Sequence, residues 1–540
     1  MAKVKDFADR FKDGALPKHI LDDAVPEPAN DDKPPAKPTI HVRPGELPEQ
    51  VDGAALALLQ SGLPIYDFSG GLVVVQRRKR ASRAAAVRLH AERIKPGRAK
   101  FLLALAANWE RSVWDKREQA WVDVPTNPPG DVIEALLDGA SQAFPALARI
   151  VTTPFLLSDG EVVTAPGYHE PSGIYFDPCG VDFPPIPSNP SREDALAALA
   201  VIDDLVCDFP FANESTKAAA LAAILTPVVR SAIDGPVPLF LIHAHAAGTG
   251  KGKLVNVAGI IATGAAVPCM SSVEEAEFEK RIVSALLGGQ PMLLIDNVRG
   301  KIGSATLDAL LTTDGEWSGR LLGKSETVNL PMQLVVYVTG NNLKIGGDLA
   351  RRCIPVFLDS KLERPEHRTD FRHPKLVAHV KANRARAVAA VLTIVKAYLA
   401  AGAPEVALKP LGSFEAWTAI VRAPLVWLGC ADPVAGQEVL REDADEALAG
   451  WRDALAALAG RFKGDSFTAA AVVRELEPGC QMHGARNFFA PLVHKGELTG
   501  LNLAAVFRSR HGRIVNGLRL QKSAEKRRND GFAWVVAPMV

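Results

Sequence analysis

Residues Leu239 to Val255 read Leu-Phe-Leu-Ile-His-Ala-His-Ala-Ala-Gly-Thr-Gly-Lys-Gly-Lys-Leu-Val, an apolar run, a glycine-rich turn, a lysine and a helix-forming stretch. A strand that passes into a helix through such a turn collects backbone N–H groups and the positive end of a helix dipole at one point, which is how a chain cradles phosphate. Gly248 and Gly250 permit close backbone approach, with Thr249 between them. Lys251 supplies a cation for the outer phosphates, and Gly252 opens the helix. The segment predicts a nucleoside triphosphate site. It departs twice from the pattern G-x-x-x-x-G-K-[ST]: His245 stands at the first glycine, and Gly252 stands where a hydroxyl would reach Mg²⁺.

Three downstream segments belong to the same argument. Met292-Leu293-Leu294-Ile295-Asp296 is an apolar strand ending in a carboxylate, the place for a Mg²⁺ ligand beside the phosphates, although the next residue is Asn297 and not a second acid that could activate water. Glu275, Glu277 and Glu279 are the substitutes to consider. Leu334 to Asn341 is another apolar strand, ending in an amide that could sense the γ-phosphate. Arg351 and Arg352 follow Asp348-Leu349-Ala350, and paired arginines there suit an arginine finger acting on a neighbouring subunit's nucleotide. Lys251, Asp296, Asn341 and Arg351/Arg352 thus fall at successive strand ends, in the order a shared pocket requires.

The surrounding pattern predicts an α/β fold with a largely parallel sheet. Residues 1–45 are rich in proline and charge and read as a disordered tail. Residues 46–190 read as an α+β accessory domain, with helices near Gln50–Gln60 and Asp131–Leu137 and turns at Asp159-Gly160 and Ser172-Gly173. After a proline-rich linker, Ser191 with Asp194 signals a helix N-terminus, and strands and helices alternate through residues 191–360. Residues 361–464 read as a helical lid and connector, and 465–540 as two helices and two strands around a basic turn.

Residues 190–430 resemble an AAA+ core of the superfamily-three type, the helicase ATPases of phages, plasmids and integrated elements. The resemblance is carried by Glu316 to Ser325, Thr339-Gly340-Asn341-Asn342 and Asp348 to Arg352. It implies ATP with Mg²⁺, a homo-hexameric ring with a nucleotide site at each subunit interface, and a β-hairpin gripping single-stranded DNA, here centred on Gly323-Lys324-Ser325 with Lys324 facing DNA. Residues 465–540 resemble the winged helix that often closes such ATPases, in which Arg508, Arg510 and Arg513 would meet double-stranded DNA beside Lys522. Proteins of replication are expected as further partners.

Plainer readings stand beside these. Asp296 could be a turn carboxylate, and Arg351 and Arg352 could form salt bridges within their own chain. Lys324 could be an ordinary turn lysine, and the C-terminal arginines a solvated loop. Asp203-Asp204 reads as a solvated helical face. A second basic run, Arg77 to Lys100, has no motif to organise it, and the overall charge of +1 carries no information about partners. The six cysteines lack metal-ligand spacing and read as buried thiols. No apolar stretch is long enough to span a bilayer, so a soluble cytoplasmic protein without a membrane partner is expected. The expectation is an ATP-dependent helicase or translocase acting in replication of a mobile element; its rival is a nucleotide-gated DNA-binding or assembly protein with weak or no hydrolysis.

Overall fold

The computed structural model describes residues 37–78, 88–139, 141–271, 274–320, 327–346, 348–492, 497–523 and 532–538. The expected tail therefore lies outside the described residues except for 37–45, and there the expectation needs correction. Thr39–His41 form a strand paired in parallel with Asn108–Asp115, and Ile40 is buried against a local core that includes Leu58 and Trp109. Burial of the apolar Ile40 side chain is what the tail composition did not announce.

The chain divides into two compact units. One comprises the chain up to Leu343 together with Arg352–Gly436, and the other Lys344–Arg351 together with Gln437–Val540. The first contains small sheets in its N-terminal part, some mixed and some antiparallel, and a five-stranded parallel sheet. The strands of that sheet are β1 (Leu239–Ala244), β2 (Cys269–Ser271), β3 (Met292–Val298), β4 (Val335–Asn341) and β5 (Cys353–Leu358), in the spatial order β2-β3-β4-β1-β5. All neighbouring strands run parallel. Leu239, Phe240, Leu241 and Ile242 are each at most 2% exposed, as expected for a strand covered on both faces. Each contributes roughly 2 kcal/mol of burial free energy before chain entropy is subtracted.

Helices α1 (Arg192–Val206), α2 (Glu214–Val229), α3 (Lys251–Thr263) and α4 (Glu275–Leu287) accompany the sheet. Ser191 and Asp194 form a reciprocal capping box at the start of α1, as their spacing predicts. Within the segment read as helical, Leu376–Ala400 is two helices, α5 (Leu376–Ala382) and α6 (Arg384–Ala400), parted at Asn383. The Asn383 amide donates to the His379 carbonyl at 3.0 Å, a side-chain bond that competes with helix continuation. Two polar groups within the large core find partners: Tyr337 donates to the Ala223 carbonyl at 2.6 Å and Trp417 to the Thr226 hydroxyl at 2.9 Å.

The second unit contains the long helix α7 (Gln437–Phe462), helix α8 (Gly500–Arg510), and Leu518–Lys522 paired antiparallel with Ala533–Pro538. Its core includes Trp451, Leu455, Phe507 and Trp534. Leu349–Arg351 belongs to this unit, and Gln437 donates to the Arg351 carbonyl at 3.3 Å. Of the cysteines only Cys353 is buried, while Cys207, Cys269 and Cys480 are exposed, which corrects the buried reading. No helix among the described residues is long and apolar enough to cross a membrane.

Candidate functional site

The spatial order of the sheet places the first strand between the fourth and fifth, so the chain leaves β1 in one direction and later crosses to its other side. Such a reversal opens a crevice beyond the carboxyl ends of the strands, where α/β sheets receive ligands. The loop after β1 occupies that place. Gly248 and Gly250 have φ of +77° and +94°, the left-handed region that favours glycine. A Cβ on Gly248 would come within 2.9 Å of the Glu366 carboxylate, so space as well as conformation requires glycine there. Gly250 is the N-cap of α3, and no side chain caps that helix end, which leaves its first N–H groups available to an anion.

Lys251 is half-buried, and its Nζ donates to the Ala246 carbonyl and the Thr249 hydroxyl, both at 3.2 Å. Burial lowers its pKa, against the opposing pull of the Asp296 carboxylate. That attraction places the lysine and the acid in one electrostatic neighbourhood. Asp296 lies where the register of β3 with β4 shifts between Ile295 and Val298, and Asn297 has φ of +53°. A bulge at a strand end turns side chains away from the ladder, and Asp296 is exposed. Thr339, which sequence reasoning did not assign, orients it: its hydroxyl donates to Asp296 Oδ1 at 2.5 Å and accepts from the Asn297 N–H at 2.9 Å.

Asn341 pairs with Ala244 across β4 and β1, directly before the glycine loop. Its Oδ1 is shut off from solvent and has no hydrogen-bond partner among the described residues. A cavity of about 500 Å³ adjoins the loop, lined by Phe209, Gly248, Thr249, Gly250, Arg368 and Phe371 among others. Its size suits a small-molecule ligand. Arg368 donates to the Asp208 carbonyl at 2.6 Å and stacks over Phe371 at 4.8 Å. Phe209, Arg368 and Phe371, unlike the loop residues, carry no motif that sequence reasoning could have found.

The two arginines differ. Arg352 is 12% exposed in its side chain, donates to the Asp308 carbonyl at 2.8 Å and lies 3.3 Å from the Asp308 carboxylate, so it is engaged within its own chain. Arg351 is 54% exposed and pairs with Asp348, also largely exposed. Two of the substitute acids are occupied elsewhere: Glu275 accepts from the Thr306 N–H and hydroxyl, which hold its pKa down, and Glu277 pairs with Arg281. A Cβ on Gly252 would meet nothing within 4 Å, so the missing hydroxyl leaves open space.

Lys324 lies outside the described residues, between the paired strands Glu316–Arg320 and Thr327–Pro331. In the second unit Arg508, Arg513 and Lys522 are exposed. Arg510 is instead half-buried, its guanidinium 5.7 Å from the Trp451 ring, so α8 turns it toward its own core. In the N-terminal basic run, Arg77 forks onto the Asp177 carboxylate with two bonds of 2.7 Å, a structural role; residues 79–87 of that run lie outside the described residues.

His243, beside the loop on β1, adds a pH dependence. Burial, followed by the charges of His245 and Lys251, pushes its pKa from 6.5 down to about 4. The unfolded chain takes up this proton below about pH 6.5 while the folded chain resists until about pH 4, so stability is lost as pH falls through that window. The loss is expected to be up to about 3 kcal/mol, read as a falling urea midpoint. His243→Gln should flatten the dependence; an unchanged slope would place its origin elsewhere.

No family model matches the sequence, and no curated protein matches it. Solved structures do show likenesses. The apo A form of the NrS-1 C-terminal region aligns at TM-score 0.36 and 12% identity, covering 90% of this chain and 99% of that one. A structure described as the active helicase Cch of SCCmec type IV aligns at TM-score 0.31 and 12% identity, covering 88% of this chain and 97% of that one. Likenesses of this size assign neither residues nor chemistry.

Proposed function

We propose that the protein is an ATP-dependent DNA translocase or helicase of the superfamily-three type, working as a ring in the replication of a mobile element. The observation that carries the reading is the convergence of Lys251, Asp296 and Asn341 at the carboxyl ends of β1, β3 and β4, next to a loop whose glycines and uncapped helix are open to phosphate. In this reading the N–H groups of residues 248–252 and Lys251 hold the triphosphate, and the Asn341 amide contacts the γ-phosphate. The nucleoside lies toward Phe209 and Phe371. Arg351, the more exposed arginine, acts on a neighbouring subunit's nucleotide, and Arg508, Arg513 and Lys522 contact DNA phosphates.

The residues also fit Mg²⁺, which binds through one or two carboxylates plus phosphates and retains water. Asp296, fixed by Thr339, supplies the carboxylate, and the open space at Gly252 leaves room for water. When bound, the ion neutralises charge developing on the phosphate oxygens.

The deciding measurement is ATP turnover with and without single-stranded DNA. Turnover that rises with DNA is expected. Nucleotide binding with no turnover under either condition would instead favour a nucleotide-gated DNA-binding protein, the reading that Asn297 and Gly252 suggest.

A further inference from the structure

A second group of metal-ligating side chains lies apart from Lys251 and Asp296. Asp204, in the last turn of α1, comes together with His373, just before α5, and His379 within α5. One carboxylate oxygen, Asp204 Oδ2, lies 3.0 Å from His373 Nε2 and 3.4 Å from His379 Nε2. Both Nε2 atoms lie near the same oxygen, but the two imidazoles stack with centroids 3.7 Å apart and planes 14° apart, so their lone pairs run nearly parallel and one ring has to turn for both to meet a common ion. His379 Nε2 is closed off from solvent and forms no hydrogen bond. A buried ring nitrogen left without a partner needs an explanation, and one shared oxygen serves only one of the two rings well.

We infer that Asp204, His373 and His379 form a site for a divalent first-row transition ion, Zn²⁺ foremost. Tetrahedral coordination with bonds of about 2.0–2.1 Å sets ligand atoms about 3.3 Å apart, close to the separations found here. Two imidazoles and one carboxylate favour such an ion over Mg²⁺ or Ca²⁺, which prefer oxygen ligands throughout. The supporting shell is also present. Arg372 lies 2.9 Å from the other carboxylate oxygen, leaving Oδ2 to the ion, and Asp208 accepts the N–H groups of both Arg372 and His373 at 2.8 Å. His379 Nδ1 faces the Asn383 amide at 3.4 Å, a group that can donate or accept there by a half-turn. A cleft lined by Asp204, Cys207, Arg372 and Asn383 adjoins the group.

The ion ties α1 to the segment bearing Arg368, Phe371 and His373, residues that line the cavity beside the glycine loop. Its role is to hold that wall in place. The site is independent of the proposed ATP chemistry.

The test uses the full chain, stripped with chelator, dialysed and titrated with Co²⁺ in the absence of nucleotide. Visible absorption of low-symmetry Co²⁺ should saturate at one equivalent and be displaced by Zn²⁺, and Zn²⁺ should raise Tm. Asp204→Asn and His379→Gln, each checked for native circular dichroism, should weaken Co²⁺ binding about 100-fold or more. Asp296→Asn should keep the signal, which separates this site from the other candidate metal carboxylate. A wild-type spectrum that stays that of the hexaaquo ion would overturn the inference without recourse to any variant. Wild-type affinity in both folded ligand variants would overturn it equally.

Discussion

An Arg351→Ala chain and a Lys251→Ala chain, each inactive alone, are expected to recover ATP turnover when mixed. A trans-acting guanidinium completes a site on another subunit, so a mixed interface can join one chain's intact Lys251 pocket to the other chain's intact Arg351. Arginine fingers contribute about 10³ to 10⁵ in rate, so even a small share of productive interfaces should rise above background. Arg352→Ala should behave differently: its bonds to Asp308 lie within its own chain, so its loss should lower stability without complementation. Subunit exchange is established first by fluorescence transfer between labelled chains. With exchange complete, background turnover in the Arg351 mixture would remove the ring-interface reading.

Asp296→Asn should cut turnover by about 10² to 10³ while changing ATP affinity far less. The estimate is that for loss of one preorganised electrostatic contact to developing charge. Most of the ground-state phosphate contacts in the proposed site come from the loop N–H groups and Lys251, which the substitution leaves in place. Asparagine also preserves the volume and can still accept from Thr339. Turnover is read at saturating ATP and Mg²⁺, and binding by displacement of a fluorescent nucleotide. Parallel losses in both would mean that Asp296 supports binding as a whole, and wild-type turnover would move the metal carboxylate elsewhere. Thr339→Val should show a weaker form of the same pattern, because it removes the group that orients Asp296.

The glycine loop, the strand ends and most helices were legible because each announces itself locally. β1, β3 and β4 are apolar runs, and Ser191 with Asp194 forms a capping pair three residues apart. What escaped sequence reading depends on long-range placement. Thr339 stood within a recognised strand, but its role depends on a bulge in the neighbouring strand, and no periodicity reports a bulge. β2 is only three residues long and carries no run of its own. Asp204 reads as a solvated helical acid until folding brings His373 and His379 beside it, and Arg510 reads as one of several exposed cations until Trp451 is placed under it. The division between Arg351 and Arg352, adjacent in sequence, was likewise invisible because only tertiary structure gives Arg352 its Asp308.

The three-residue turn Leu349–Arg351 has a mechanical meaning. It sits in sequence between two strands of the parallel sheet, yet belongs to the unit formed by Gln437–Val540, and the first residue of α7 holds the Arg351 carbonyl. A load applied to α7 is therefore transmitted to the backbone of Arg351. If the protein forms the proposed ring, with Arg351 reaching a neighbour's nucleotide and the C-terminal unit holding DNA, tension borne by that unit becomes a change in position of a catalytic charge.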